Sequence, residues 1–299
     1  MGLRFYFYLS GVLFLLFSNT TLYALKKNGA RDILVILSDL DKRDFYLGRL
    51  KGLALNIHPK IHFYEGARVK PFEEARLAKI ATIISGDYPK GSVFLFAINP
   101  LENKRPLLLK TLKGQFFLAP DTGILSRLIE KYGVLELREL TNPKFFRYAQ
   151  KLNRGSEMVF DVLLPAAALI CRGIFPDRMG QKTISLKKIP IEKARNTRTG
   201  IRGKVELIDN SGRLLTNIKG THLEYFELKF GDVLPVNLEK RLLLFSLVKD
   251  LSKVPSGTLA AHLDHLDNLV LELHRSNLIE KYDLKIKDGD TLYIPLNGY

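Results

Sequence analysis

A single cysteine, Cys171, among 299 residues excludes an intramolecular disulfide and any multi-cysteine metal site. It stands in the apolar helical run Ala166 to Cys171, where its simplest role is that of a small core residue. Glycine-rich phosphate loops, the Gly-x-Ser-x-Gly elbow and the His-Glu-x-x-His helix are missing, so the commonest nucleophile and metal classes have no support. No low-complexity tract or fixed-period repeat occurs, which removes solenoids and collagen-like folds. Acidic residues are few: 31 Asp and Glu stand against 46 Lys and Arg, for a net charge of +15. That excess attracts anionic ligands or surfaces. The basic residues are spread along the chain, with a modest cluster at Lys187 to Arg202 and no nucleic-acid-binding signature, so no nucleic-acid partner is expected.

Long hydrophobic runs are also scarce. The apolar stretch Leu9 to Phe17 is shorter than the roughly 20 residues of a spanning helix. With Arg4 before it and Ala24 after it, residues 1–24 have the layout of a secretory signal removed near Ala24, an uncleaved anchor being the other outcome. An exported chain without disulfides relies on its core or on oligomerisation, which favours a bacterial periplasm. No stable membrane span is expected once the signal is removed.

What is present is an alternation of strand-like and helix-like segments from Asp32 to Arg178, the pattern of an α/β layer protein. The apolar runs Ile33 to Leu37 and Ser92 to Ile98 read as buried strands. Leu107 to Lys110 and Gln115 to Leu118 flank the turn Lys113-Gly114. After Gly180 the composition changes. Gly203 to Ile208 and Arg213 to Ile218 flank the hairpin signal Asp209-Asn-Ser-Gly212, and alternating strands follow. The expected layout is an α/β nucleoside-binding domain over 31–185, a basic linker over 186–202 and a small β-barrel domain over 203–299. The first domain is a Rossmann-like layered sheet with helices on both faces.

The histidines of His262-Leu-Asp-His265-Leu-Asp267 are spaced i, i+3, which would put both on one helical face, but no motif fixes a third ligand and no metal site is assigned. No cofactor is expected. Three acids begin loops after strands, namely Asp39, Asp121 and Asp209; each is either a helix or turn cap or part of a site.

The order of motifs decides between these. Ile36-Leu-Ser-Asp39-Leu, Phe45-Tyr-Leu-Gly-Arg-Leu-Lys-Gly52, Asn56-Ile-His-Pro59, Tyr88-Pro-Lys-Gly-Ser-Val93, Asn99-Pro100, Ala119-Pro-Asp-Thr-Gly123, Asp161-Val-Leu-Leu-Pro165 and Ile208-Asp-Asn-Ser-Gly-Arg213 resemble, in order, the S-adenosylmethionine hydroxide adenosyltransferases, relatives of the fluorinases and chlorinases. The resemblance implies an α/β domain, a barrel, and a homotrimer with sites between domains of neighbouring subunits. It also implies displacement of methionine from the ribose 5′ carbon by water or hydroxide held by an Asp, an Arg and a His. A carboxylate and an imidazole can orient or deprotonate water, and a guanidinium can hold the oxygen nucleophile.

Carried over position by position, the catalytic acid becomes Asn99, the arginine is Arg105 and the histidine becomes Met158. An amide cannot take a proton at neutral pH, and a thioether is no base. Asp39 matches the acid that pairs with the ribose hydroxyls, with Asp44 further along the same loop. Asp121 and Thr122 occupy a second substrate loop, and Asp209 matches the acid near the methionine ammonium. On the adenine side, Ser211 and Arg213 replace the stacking ring and the amide. Two readings follow: a protein that binds S-adenosylmethionine or a related nucleoside, its hydrolysis undercut by Asn99 and Met158, or a non-catalytic envelope binding or structural module on the same fold.

Overall fold

The computed structural model describes residues 29–40, 45–98, 104–147 and 158–296. Asp44, Asn99 and the segment 1–24 lie outside the described residues. The chain divides into two compact units, 1–190 and 191–299.

In the first unit, β1 (Ile33–Ser38), α1 (Tyr46–Ile57), β2 (His62–Arg68), α2 (Glu74–Ile84) and β3 (Val93–Ala97) follow in βαβαβ order. They are followed by β4 (Pro106–Lys110), β5 (Phe116–Pro120), α3 (Ser126–Tyr132), β6 (Glu136–Leu140), a π-helical turn (Val159–Leu163), α4 (Leu164–Cys171) and β7 (Gly180–Lys182). The seven strands form one sheet in the order β2-β1-β3-β5-β4-β6-β7. The first four are parallel, and β4, β6 and β7 join antiparallel.

The central strands are continuous apolar runs because both faces are covered. On β1, Leu34 and Ile36 pack with Leu50 and Ala54 of α1 and with α4, while Val35 and Leu37 pack with Leu77, Ala78 and Ala81 of α2. β3 divides the same way, Leu95 to one layer and Phe94 and Phe96 to the other. Phe94 stacks on Phe117 at 4.6 Å between centroids, an arrangement that adds about 1 kcal/mol to the burial of the two rings. Gly66 is the residue skipped in the β1–β2 register, between the pairs Ile36↔Glu65 and Leu37↔Ala67. A Cβ there would meet Val35 Cγ1 at 2.7 Å and Ile84 Cδ1 at 2.9 Å, so glycine lets α2 pack tightly on the sheet.

The π-helical turn has two causes. Pro165 lacks the N–H that would bond back to the Asp161 carbonyl, and that carbonyl accepts from the Arg147 N–H at 2.9 Å. The helix therefore begins as a π turn that runs into α4. Cys171 lies buried at its end, and burial pushes the thiol up to about 12, so it stays protonated and inert.

The second unit holds β8 (Arg195–Thr197), β9 (Gly200–Ile208), β10 (Leu214–Lys219), α5 (Gly220–Tyr225), β11 (Val233–Leu238), β12 (Arg241–Leu247), β13 (Leu259–Leu263), β14 (Asn268–Leu273), α6 (Leu278–Lys281) and β15 (Thr291–Pro295). The ring β9-β10-β14-β13-β12-β11-β15 closes on itself as a seven-stranded barrel, with β8 paired outside β9. Leu214, Ile218, Leu234, Val236, Phe245 and Leu271 fill its interior. The basic stretch 186–202 is shared out: residues to Pro190 belong to the first unit, and β8 and the start of β9 take up the end of the stretch. His262 stands on β13 and His265 in the turn to β14, so the two are not on a helix; Asp264 shapes that turn by accepting from the Leu266 and Asn268 N–H groups, both at 2.8 Å.

Candidate functional site

β1 is paired with β2 on one side and β3 on the other, so successive crossovers leave it in opposite directions. The crevice outside the carboxyl ends of β1 and β3 is therefore a topological switch point, where open α/β sheets bind ligands. Ser38 is in register with Ala97, so Asp39 and Ile98 leave the sheet side by side. β5 runs parallel to β3 with Leu95 opposite Leu118, which brings Asp121 to the same edge about 10 Å from Asp39 by strand spacing. Asp39 is half-buried there. The expected catalytic position Asn99 lies just past Ile98 and outside the described residues.

Arg105 precedes β4 and reaches across this edge. Its Nη2 donates to Asp121 Oδ2 at 2.6 Å and to the Ser185 carbonyl at 3.0 Å, and its Nη1 donates to Glu139 Oε2 at 3.1 Å. The Asp121 side chain is 10% exposed and that of Glu139 22%, so one guanidinium faces two largely covered carboxylates. The hydrogen bond to Asp121 raises the Arg105 pKa further, against the opposing effect of burial. The other Asp121 oxygen accepts the Lys187 N–H at 2.7 Å. Ile189 closes the same strap: its N–H donates to Ser126 Oγ at 3.0 Å, and its side chain lies where a Cβ on Gly123 would be, at 2.5 Å. Gly123 has φ +96°, a second reason for glycine at that turn. Thr122 is buried beside Asp121, and its hydroxyl oxygen has no hydrogen-bond partner.

Met158 precedes the π turn and is buried in the core layer that includes Leu95, Ala97 and Leu108. It packs as a core thioether and offers no proton acceptor. Asp161, three residues on, is buried in the same turn.

In the barrel unit, Asp209, Ser211 and Arg213 close one turn between β9 and β10. Asp209 Oδ1 accepts from the Ser211 N–H at 2.9 Å, the Ser211 hydroxyl at 2.7 Å and the Arg213 N–H at 3.1 Å, while Oδ2 accepts from Arg213 Nε at 2.6 Å. Burial works to raise the Asp209 pKa, but these hydrogen bonds outweigh it and hold the carboxyl below its ordinary 3.8. A depressed carboxylate pKa adds stability above the unfolded-state value, and that stability is lost as pH falls through the folded value. Asp209→Asn is therefore expected to unfold earlier than the parent near neutrality, with the two melting curves converging below about pH 4, as differential scanning at several pH values would record. Asp267 accepts the Gly220 N–H at 3.1 Å and serves the start of α5.

Two aromatic features also stand at the carboxyl edge. Phe72, after β2, is exposed with φ +70°, an outlier for an aromatic residue. Phe45 and Tyr46, at the start of α1, stack at 4.5 Å between centroids. The aromatic residues themselves are visible in the sequence, but their place on the carboxyl edge depends on strand order.

A switch-point acid on a layered α/β sheet, followed in the chain by a closed barrel, defines a two-unit protein whose first unit has the layout of an open α/β ligand-binding sheet. Residues 34–180 match the SAM hydroxide adenosyltransferase N-terminal domain, and the α/β unit belongs to that family. The chain is 24% identical to a fluorinase of Nocardia brasiliensis, covering 86% of this chain and 95% of that protein. It is 23% identical to an (R)-S-adenosyl-L-methionine hydrolase of Methanocaldococcus jannaschii, covering 73% and 78%. Among solved structures, it superposes on an uncharacterized conserved protein of Thermotoga maritima with a TM-score of 0.82 at 25% identity, covering 88% of this chain and all of that one. A conserved hypothetical protein of Thermus thermophilus shares the fold, with a TM-score of 0.65 at 20% identity over 87% and 98% of the two chains.

Proposed function

We propose that this protein binds S-adenosylmethionine or a related nucleoside at the carboxyl edge of its sheet and does not hydrolyse it by the acid, arginine and histidine route. The observation that carries this reading is the pairing of Arg105 with both Asp121 and Glu139. A guanidinium held by two carboxylates contributes no net positive field for a hydroxide, and neither Asn99 nor Met158 supplies a base. The ligand side is supported by Asp39, an acid that leaves β1 at the carboxyl edge of the sheet, a residue type suited to pairing with ribose hydroxyls. The self-satisfied turn of Asp209, Ser211 and Arg213 favours the second reading, a non-catalytic binding or structural module.

The proposal includes a homotrimer, supported by an apolar outer barrel face where Val233, Leu242 and Leu244 are exposed on the paired strands β11 and β12. It also includes export to a periplasm, supported by the layout of residues 1–24; among the described residues no helix is long and apolar enough to cross a membrane. Calorimetric titration of the purified protein with S-adenosylmethionine and with adenosine tests the ligand, and light scattering on the same sample tests the trimer. Saturable binding of either compound by a three-copy particle is expected. Absence of binding at millimolar concentration overturns the ligand assignment, and a monomer overturns the assembly.

A further inference from the structure

We infer that the amino edge of the sheet, the end opposite Asp39 and Arg105, is a docking surface for an anionic lipid bilayer. At that edge Lys110 at the end of β4 faces both Phe116 and Glu136, the first residues of β5 and β6, and two loops there put large apolar side chains into solvent. Leu112, in the turn Thr111 to Gly114, is 67% exposed; Val134 and Leu135, between α3 and β6, are 42% and 57% exposed. The loops are tied together. The Leu112 N–H donates to the Tyr132 carbonyl at 3.2 Å, and the Leu135 N–H to the Lys110 carbonyl at 2.8 Å. Leu112 also lies against Gly133, where a Cβ would meet its Cδ1 at 2.6 Å. The three side chains form one knuckle, and turn chemistry does not call for it: Asn, Asp, Ser or Gly serve at such positions without leaving apolar area in water.

The charge around the knuckle selects its partner. Lys90 lies across Gly114, its Cε 2.8 Å from where a Cβ would be, and Arg31 donates through Nε to the Lys90 carbonyl at 2.9 Å. Lys113 and Lys131 stand 5.6 and 5.1 Å from the centroid of Tyr132, and their ammonium groups donate to carbonyls, Lys113 to Ser85 and Gly86 and Lys131 to Thr82. A carbonyl does not cancel a charge, and among the described residues none of these four cations is paired with a carboxylate. The acids at this end are Asp32 and Glu136, paired with His58 and Arg138, together with Asp87 in the turn that holds Lys90 and Glu130 on α3. The balance stays positive. A second copy of this chain would set the same cations face to face, which disfavours self-association here, whereas lipid phosphates complement them.

The chain also enters the unit on this edge. The Arg31 N–H donates to the Gly91 carbonyl at 2.8 Å and the Gly91 N–H to the Gly114 carbonyl at 3.0 Å, so the entry lies beside the knuckle. In sequence, Lys26 and Lys27 come just before it and add two charges. The apolar stretch Leu9 to Phe17 ends 12 residues ahead of Gly29, a tether of at most about 40 Å. That stretch, seated in a bilayer, holds this edge within reach of the headgroups. Apolar side chains entering the headgroup layer, with lysines on its phosphates, are the two forces that bind interfacial proteins to anionic bilayers.

The chain contains no tryptophan, so a single introduced indole reports on one place. The test is fluorescence of the full chain carrying Leu112→Trp, with vesicles of equimolar phosphatidylglycerol and phosphatidylcholine and with vesicles of phosphatidylcholine alone; Phe72→Trp, at the opposite edge, is the control. Docking predicts a blue shift and quenching by brominated acyl chains for the Leu112→Trp protein on the anionic vesicles only, and neither for the control. Adding Lys90→Gln and Lys131→Gln should weaken vesicle binding roughly thirtyfold. Equal quenching on the neutral vesicles would assign the contact to residues 1–24 and overturn the docking surface, as would equal quenching of the control. Binding unaffected by the two lysine substitutions also overturns it. So does the absence of any shift, or a shift without lipid that follows protein concentration and marks a subunit contact.

Discussion

Replacing Asp39 by Asn is expected to weaken binding of adenosine and of S-adenosylmethionine by on the order of 30- to 100-fold in calorimetric titration. A carboxylate accepts from both hydroxyls of a cis-diol at once, and each bond to a charged acceptor contributes about 1.5–3 kcal/mol. The amide keeps one acceptor oxygen and turns an amide N–H₂ toward the other hydroxyl. The effect is large because Asp39 follows the buried residue Ser38, in register with Ala97, on the edge where the sheet opens. Thermal unfolding run in parallel separates a lost ligand contact from a damaged fold. An Asp39→Asn variant that binds as the parent does would place the ligand elsewhere.

Arg105→Met is expected to act on stability, with a melting temperature lower by roughly 5–10 °C. Deleting one partner of a fully buried ion pair costs about 3–5 kcal/mol, and the 38% exposure of the Arg105 side chain reduces that to about 2–3 kcal/mol. At this chain length each kcal/mol moves the midpoint by about 2–4 °C. The loss has three parts. Asp121 and Glu139 are left as neighbouring carboxylates without their cation, the Ser185 carbonyl loses a donor, and the strap through Lys187 and Ile189 loses its anchor at Asp121. Arg105→Met combined with Asp121→Asn should recover part of the loss by removing one of the two opposed charges. An arginine reserved for a nucleophile would give the opposite result, an unchanged melting temperature.

Much of the α/β unit can be read from the chain alone because its central strands, Ile33 to Ser38 and Val93 to Ala97, are buried on both faces and so are apolar throughout. The two hairpins, around Lys113-Gly114 and Asp209 to Gly212, announce themselves by turn chemistry. What stayed hidden is non-local. The Arg105 network joins residues 16, 34 and 80 positions apart along the chain, and no spacing rule links them. The π turn depends on the Arg147 N–H capturing a carbonyl that Pro165 cannot serve. The strand at His262 was ambiguous with a helix because its short apolar run fits either period, and what settles the matter is its pairing with β12, 14 residues earlier in the chain at Leu247↔Ala261.

In the same way, the site positions were visible as residue types but not as partners. Asp121 and Asp209 each pass for a loop acid in sequence. In the fold, one completes an ion network at the carboxyl edge of the sheet, and the other closes its own turn in the barrel unit. Both are satisfied by protein groups, which is the feature that sets this chain's chemistry apart from a site built around a free arginine.

The measurement that separates binding from turnover is chromatography of S-adenosylmethionine incubated with a molar equivalent of the protein, followed for released adenosine and methionine. Binding by calorimetry together with adenosine no higher than in the protein-free control is the result expected from an arginine neutralised by Asp121 and Glu139 and from Met158 in place of a base. Stoichiometric adenosine and methionine, abolished by Asp39→Asn, would contradict it and make the protein a working hydrolase.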